Sequence, residues 1–254
     1  MLAIERQNAI RNLVRETGSV TLSELVAMFG VSSETIRKDL LTLEKTGILS
    51  RTHGGAISTA KKGIFIPLKE RKTDHLPEKQ ELCGYAIRHI RNGDTIAIDE
   101  GSTATELAKQ IVCTFSKLTI ATHSLEVFEI LAQNPGFDLI LFGGTFDREE
   151  MAFYGRQTLA AVGQHHFDKC FLFPSGVSLQ YGLMDYLSDF LDVQDAYIAH
   201  STQTYILAYS DRFEKPARVK LRDVDPGFIY ITDSRLPPEI VARYEQHHIK
   251  IIKE

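Results

Sequence analysis

"VSSETIRKDLLTLEKTGILSRTHGG", residues 31–55, puts two adjacent cations, Arg37 and Lys38, on a short amphipathic segment, then adds Arg51, His53 and a glycine pair. Ile36, Leu40 and Leu43 recur at helical spacing. At about 100° per residue, Glu34, Thr35, Arg37 and Lys38 therefore point away from that apolar stripe. Ser32 stands where an N-cap is needed, and Val31 can pack on Ile36. Upstream, in "VTLSELVAMFG" (20–30), Thr21 and Glu24 form a capping box and Val20 can staple onto Leu25. Leu22, Leu25, Val26 and Phe29 make the buried stripe, and Gly30 ends the segment. A further helix is predicted over 4–16, with Ile10, Leu13 and Val14 inward and Gly18 as its stop. Two short helices joined by the tight "FGVS" read as a helix-turn-helix, the second sized for a DNA major groove. "ILSRTHGGAIS" (48–58) reads as two short strands around a glycine turn, a wing that offers Arg51 and His53 to phosphates or a minor groove. Arg37 and Lys38 alone would favour a solvated face on a small helical bundle; three capped helices plus a wing argue for DNA.

Composition agrees with two units that have different partners. The 254 residues carry a formal net charge of −4, with 43% hydrophobic and 24% charged residues, an ordinary globular balance. Residues 1–62 hold nine Lys/Arg against six Asp/Glu, whereas the remainder holds 20 against 27. Cys83, Cys113 and Cys170 are scattered without metal-ligand spacing and read as reduced thiols. The charged start "MLAIERQNAIRNLVRE" does not suit a secretory signal, and no apolar run reaches membrane-spanning length. A cytoplasmic protein with no membrane partner is expected.

The string S-x-x-T-I-R-K-D-L…L-E…G…R-x-H-G-G-A, within a stretch running from Glu5 to Ala56, resembles the N-terminal signature of the DeoR-type bacterial repressors of sugar metabolism. The resemblance implies a double-stranded DNA operator as partner. It places Ser33, Thr35, Arg37 and Lys38 at DNA-reading positions and Arg51 and His53 in the wing.

Residues 59–78, charged and holding two prolines, are expected to be a linker between a winged helix-turn-helix (1–58) and an α/β domain (79–254). In that domain apolar runs at 95–99, 118–122, 138–144, 169–173, 205–209, 228–232 and 249–252 alternate with helical patterns, which predicts a mostly parallel sheet covered on both faces. Ligands of such sheets gather at the carboxyl ends of strands. There "IDEGSTATEL" offers Asp99, Glu100, Gly101, Ser102 and Thr103; "IATHSLEV" offers His123 and Ser124; "LFGGTF" offers Gly143 and Gly144; and "FPSGVSLQYGLMD" offers Ser175 and Gly176. Each has a plainer reading as a helix cap or a turn. Their coincidence at successive strand ends favours a pocket for a phosphorylated or carboxylated metabolite.

"IAIDEGSTATELA", "TIATHSLEV", "LILFGGTF" and "FDKCFLFPSGV" also resemble the sensor domain of the same family. That resemblance implies the ribose-phosphate-isomerase and coenzyme-A-transferase fold and a sugar-phosphate effector. It also marks departures: His123 stands for an asparagine, Arg156 for a proline, Ser175 for an aspartate, Phe190 for a glutamate, Gln194 for a lysine, Tyr209 for an aspartate and Arg212 for a lysine. Gln194 joins the expected effector set by this alignment, and Arg156 is a candidate replacement cation.

Phosphate-loop, dinucleotide and zinc-protease motifs are absent, and the adjacent pairs His165-His166 and His247-His248 do not converge. No metal, cofactor or catalytic residue is expected. The reading is a repressor acting as a homodimer or homotetramer. An enzyme is the alternative, and a protein whose α/β domain only oligomerises is a third.

Overall fold

Among residues 2–17, 19–45, 49–52, 54–58 and 66–254, which the computed structural model describes, the chain divides into two units, 1–64 and 65–254. His53, expected in the wing, and Gly18, expected to stop the first helix, lie outside the described residues.

The first unit runs α1 (Ala3–Thr17), β1 (Ser19–Thr21), α2 (Leu22–Phe29), α3 (Ser33–Lys45), β2 (Leu49–Thr52) and β3 (Gly55–Ser58). Ile10, Val14, Val20, Leu25, Ile36, Leu40, Leu43, Leu49 and Ala56 form its core. Local chemistry sets the helix ends. The Thr21 hydroxyl accepts from the Glu24 amide at 3.2 Å while the Thr21 amide donates to the Glu24 carboxylate at 2.8 Å. Gly30 closes α2 at φ +62°, a left-handed conformation that costs glycine little. The wing has three antiparallel strands in the order β1-β3-β2, one more than the two predicted. Gly55, paired with both Thr21 and Thr52, is required there, because a Cβ would lie 2.0 Å from the Val20 carbonyl oxygen.

The second unit continues with α4 (Leu68–Arg71), α5 (Leu76–Ala86), β4 (Thr95–Ile98), α6 (Ser102–Thr114), β5 (Thr119–Thr122), α7 (Leu125–Leu131), β6 (Asp138–Leu141), β7 (Thr145–Asp147), β8 (Ala152–Tyr154), α8 (Arg156–Val162), β9 (Phe167–Leu172), β10 (Gly176–Ser178), β11 (Gly182–Asp185), α9 (Ser188–Ala199), β12 (Ser201–Leu207), β13 (Val219–Arg222), β14 (Ile229–Ile231), α10 (Pro238–Gln246) and β15 (Lys250–Ile252). Seven strands, one for each predicted apolar run, form a wholly parallel sheet in the order β15-β14-β12-β9-β4-β5-β6. Alternation along the strands divides the core. Ile96, Ile98, Tyr205 and Leu207 face α5, α6 and α7, while Ala97, Ile206 and Ala208 face α8, α9 and α10. Two smaller antiparallel sheets, β7-β8 and β10-β11-β13, were not predicted.

One boundary differs from the expectation. Residues 66–78 belong to the second unit rather than to a linker: Leu68 is buried, its amide donates to the Glu149 carbonyl at 3.1 Å, and Arg71 pairs with Glu150. Charge and proline density suggested a tether because nothing local reveals that Leu68 has a place to bury.

The strand order has a switch point. The chain moves outward from β4 to β5 and β6 on one side, then returns to place β9 and β12 on the other. Loops after β4 and β9 thus diverge and leave a crevice at their carboxyl ends.

Candidate DNA-reading face and effector cleft

Helix α3 buries Ile36, Asp39, Leu40 and Leu43 and exposes Ser33, Arg37 and Lys38; Thr35 is half-buried. The Ser32 hydroxyl accepts the Thr35 amide at 3.2 Å and lies 2.9 Å from the Thr35 hydroxyl, so the start of the helix is fixed by its own cap. On the inner side Asp39 receives Arg6 Nε at 2.6 Å and Gln7 Nε2 at 2.8 Å. This pair, 7% and 3% exposed, locks α3 onto α1 and so orients the outer face. Arg51 donates its backbone amide (2.8 Å) and its Nε (2.7 Å) to Glu44, which ties β2 to α3 and holds the Glu44 carboxyl below its usual range.

In the second unit a small cleft, open to solvent, lies at the switch point. Gly101, Ser102 and Thr103 line it from the start of α6, Phe173, Pro174 and Ser175 from the end of β9, and Leu207, Ala208, Tyr209 and Arg212 from the end of β12; Arg71 joins them from α4. Gly101 sits at φ +114°, a turn that brings the first amides of α6 to the cleft wall. Arg212 donates to the Ser175 carbonyl at 2.9 Å, and its guanidinium lies 5.0 Å from the Tyr209 ring centroid. Two guanidinium groups and a helix N-terminus give the mouth a positive character suited to an anion.

Behind this wall lies an acidic layer. Ser175 donates its hydroxyl to Asp185 at 2.9 Å, and Gln194 Nε2 donates to Asp99 at 3.0 Å and to Asp185 at 3.3 Å. Burial, with Asp185 nearby, pushes the Asp99 carboxyl up to about 8. Burial raises Glu100 well above the carboxylate range and Glu150 to about 7, in the latter case against the pull of Arg71. His123 is fully buried, with Nδ1 3.1 Å from the Tyr197 hydroxyl and Nε2 3.6 Å from Asp99, and burial drops it to about 3. It is a neutral core histidine at neutral pH.

Of the residues anticipated for the effector, Gly101, Ser102, Thr103 and Ser175 thus line the cleft, while Asp99, His123 and Gln194 form the layer behind it. Five do not line it. Ser124 caps α7, accepting the Val127 amide at 3.3 Å. The Gly143 carbonyl accepts the Thr158 hydroxyl at 3.0 Å, and a Cβ on Gly144 would lie 2.2 Å from that same hydroxyl oxygen. Gly176 is packed 2.4 Å (from an ideal Cβ) against the Lys215 carbonyl. Arg156 is exposed at the first position of α8. These glycines and hydroxyls serve backbone packing, which sequence alone does not separate from ligand contact.

Conversely Arg71, Tyr209 and Arg212 were not anticipated in the site. Arg71 lay in the supposed linker, and the pair Tyr209/Arg212 was noted only as a departure. Tyr209 is held from behind by His75, stacked at 4.5 Å, and by the Lys79 ammonium 5.9 Å from its centroid. Lys79 is itself buried, which brings its pKa down to about 7, and donates to the Arg71 carbonyl at 2.6 Å.

Comparison with known proteins agrees with this architecture. Residues 6–62 match the family model of the DeoR-like helix-turn-helix domain, and residues 74–234 that of the DeoR C terminal sensor domain. A Bacillus subtilis (strain 168) protein named uncharacterized HTH-type transcriptional regulator YulB is 31% identical over 99% of this chain and 96% of its own. The glycerol-3-phosphate regulon repressor of Escherichia coli (strain K12) is 29% identical over 99% of both. Ribose 5-phosphate isomerase A of Methanocaldococcus jannaschii superposes with a TM-score of 0.41 over 55% of each chain, at 11% identity. No helix among the described residues is long and apolar enough to cross a membrane. With a matched DNA-binding unit, a matched sensor unit and regulators as full-length relatives, the chain belongs to the DeoR family of transcriptional regulators.

Proposed function

We propose that this regulator is a repressor of a carbohydrate operon and that a phosphorylated sugar, bound in the cleft, changes its hold on the operator. The observation that carries this reading is the convergence of Arg212, Arg71 and the start of α6 on one cleft at the switch point of the sheet. The phosphate would sit against the amides of Ser102 and Thr103 with Arg212 as countercharge, and Ser175 would meet the sugar end. Asp99 and Gln194 would shape that end from behind, and His123 would keep Asp99 in place. A relative named for a glycerol-3-phosphate regulon points the same way.

On the DNA side, Ser33, Thr35, Arg37 and Lys38 would meet the major groove, with Arg51 and His53 on the backbone or minor groove. One Arg51 N–H is already given to Glu44, so its terminal nitrogens would make the phosphate contact. Paired half-sites call for a homodimer or homotetramer, and a DNA target places the protein in the cytoplasm.

The test is a thermal-shift screen of the purified protein against phosphorylated and free sugars, followed by fluorescence anisotropy on operator DNA with and without each hit. A ligand at 100 times its Kd adds about 2.7 kcal/mol, enough to move the sensor transition visibly. Stabilisation by a phosphorylated sugar but not by its free form, with a changed operator Kd, is the expected result. Stabilisation by free sugars alone would overturn the phosphate assignment.

A further inference from the structure

The outer face of α3 holds one residue whose chemistry differs from that of its neighbours. Glu34, Arg37, Lys38, Thr42 and Lys45 are exposed and polar. Leu41 stands among them with 38% of its surface open to solvent. The other exposed large apolar side chains among the described residues, Leu2, Ile4, Met28 and Tyr181, lie elsewhere in the chain. Leu41 belongs neither to the core of the winged-helix unit nor to the half-buried residues packed against that core. Ile36, Leu40 and Leu43 already fill the inner side of the helix.

Helix geometry sets where this side chain points. At about 100° per residue, Leu41 projects about 40° from Arg37 and about 60° from Lys38, between the two. It stands about 6 Å further along the axis than Arg37. Three exposed cations, Arg37, Lys38 and Lys45, share the face with it, and they suit a polyanion better than an apolar protein surface. The one acid of this outer set, Glu34, lies in the first turn, where the helix dipole favours it. In a DNA major groove the apolar feature of the base edges is the C5-methyl of thymine. The remaining positions are donors and acceptors, which an apolar side chain strips of water without replacing their hydrogen bonds.

We propose that Leu41 is a specificity-determining residue of the DNA-reading face, packing on the C5-methyl of a thymine close to the base met by Arg37. This rests on the reading of α3 as the helix in the major groove. The cations around Leu41 hold the backbone and bring the helix to depth; Leu41 then tells thymine from a base without the methyl. Burying one methyl-sized group is worth about fourfold in affinity. The separation of about 6 Å from Arg37 corresponds to about two base-pair steps along the duplex.

The test uses the full chain and DNA that it selects from a random pool, with thymines replaced one at a time by deoxyuridine, which lacks only the methyl. Affinity is read by fluorescence anisotropy on wild type, Leu41→Ala and Arg37→Ala. In wild type, replacing the thymine in question should weaken binding about fourfold. In Leu41→Ala the same replacement should have no effect, and the unmodified DNA should already bind more weakly by that factor. Arg37→Ala should keep the deoxyuridine penalty while losing preference at a neighbouring base pair. Alanine is a good helix former at an exposed position, so the melting temperature and mass in solution of Leu41→Ala should match wild type. A deoxyuridine penalty equal in wild type and Leu41→Ala, or absent from both, would overturn the thymine contact; Arg37→Ala would still lose sequence preference if α3 lies in the groove. A changed mass in solution for Leu41→Ala, with its deoxyuridine profile unaltered, would assign Leu41 to a contact with a second copy of the chain instead. Unchanged sequence preference in both variants would overturn the reading of α3 itself.

Discussion

The outer face of α3 and the cleft at the sheet switch point are built on different scales. Ser33, Arg37 and Lys38 lie within six residues of one another on one helix, and caps a few residues away set its start. The cleft takes Arg71, Ser102, Thr103, Ser175, Tyr209 and Arg212 from segments up to 141 residues apart. One face is held by the apolar stripe of its own helix and by the buried Arg6–Asp39 pair; the other depends on the whole sheet order. Damage to the DNA face should therefore be local, whereas damage to the sheet should abolish the cleft without touching the winged helix.

Breaking the ion pair is the strongest test of that contrast. Asp39→Ala leaves Arg6 buried without its partner, a change that costs about 3–5 kcal/mol. Calorimetry should show the winged-helix transition lowered and the sensor transition unmoved. A joint shift would mean that the two units unfold as one.

The sensor carries its own buried groups whose titration bears on stability. His123 titrates at about 3 in the fold against 6.5 in the unfolded chain, so the unfolded state binds the extra proton in between. Stability from this group is present above pH 6.5 and lost as pH falls towards 3, by up to about 1.4 kcal/mol per pH unit. Asp99, raised from 3.8 to about 8, acts in the opposite sense: its contribution is complete below pH 3.8 and is lost as pH rises from there to 8, so it offsets the histidine across their shared window. Comparing wild type with His123→Asn isolates the histidine: as pH falls from 6.5 to 4, the wild-type sensor should lose stability relative to the variant, by up to about 1.4 kcal/mol per pH unit.

Gly144→Ala sharpens the distinction between packing and ligand contact. A methyl group there meets Thr158 and the Tyr154 carbonyl, and overpacking of this kind costs about 1–3 kcal/mol. Sensor melting should fall by that amount, while effector affinity, measured by calorimetric titration on the folded variant, stays unchanged.

On the DNA side, Arg37→Ala should remove about 1–3 kcal/mol of preference for operator over scrambled DNA, read by anisotropy, with no change in melting temperature. An equal loss on both DNAs would reassign Arg37 to phosphate positioning. Thr21→Ala is the smallest change. Losing this cap should cost about 1 kcal/mol of winged-helix stability and leave the sensor transition where it was.

Much of the first unit was legible because its determinants are short-range. Thr21 with Glu24, Gly30, Ser32 and the Ile36/Leu40/Leu43 stripe each act within a turn or two of helix. The seven strands of the main sheet were legible too, since a strand buried on both faces must be apolar throughout. The strand-end glycines and hydroxyls were not separable in the same way. Ser102 and Ser124 both follow a parallel strand and start a helix, yet only Ser102 lines the cleft; Ser124 spends its oxygen on the Val127 amide.

Sequence by itself thus determined the winged helix, the identity of its exposed cations, the alternating α/β body and the family. Those properties follow from period, capping and composition, which neighbouring residues settle among themselves. Only the tertiary structure decided that Asp39 is an anchor for Arg6, that Gln194 joins Asp99 to Asp185, and that Arg71 reaches the start of α6 from a segment that reads as a tether. Each of those depends on where the order β12-β9-β4-β5 brings distant chain ends together. Strand order is chosen by the global packing of apolar faces, and no local stretch of residues encodes it.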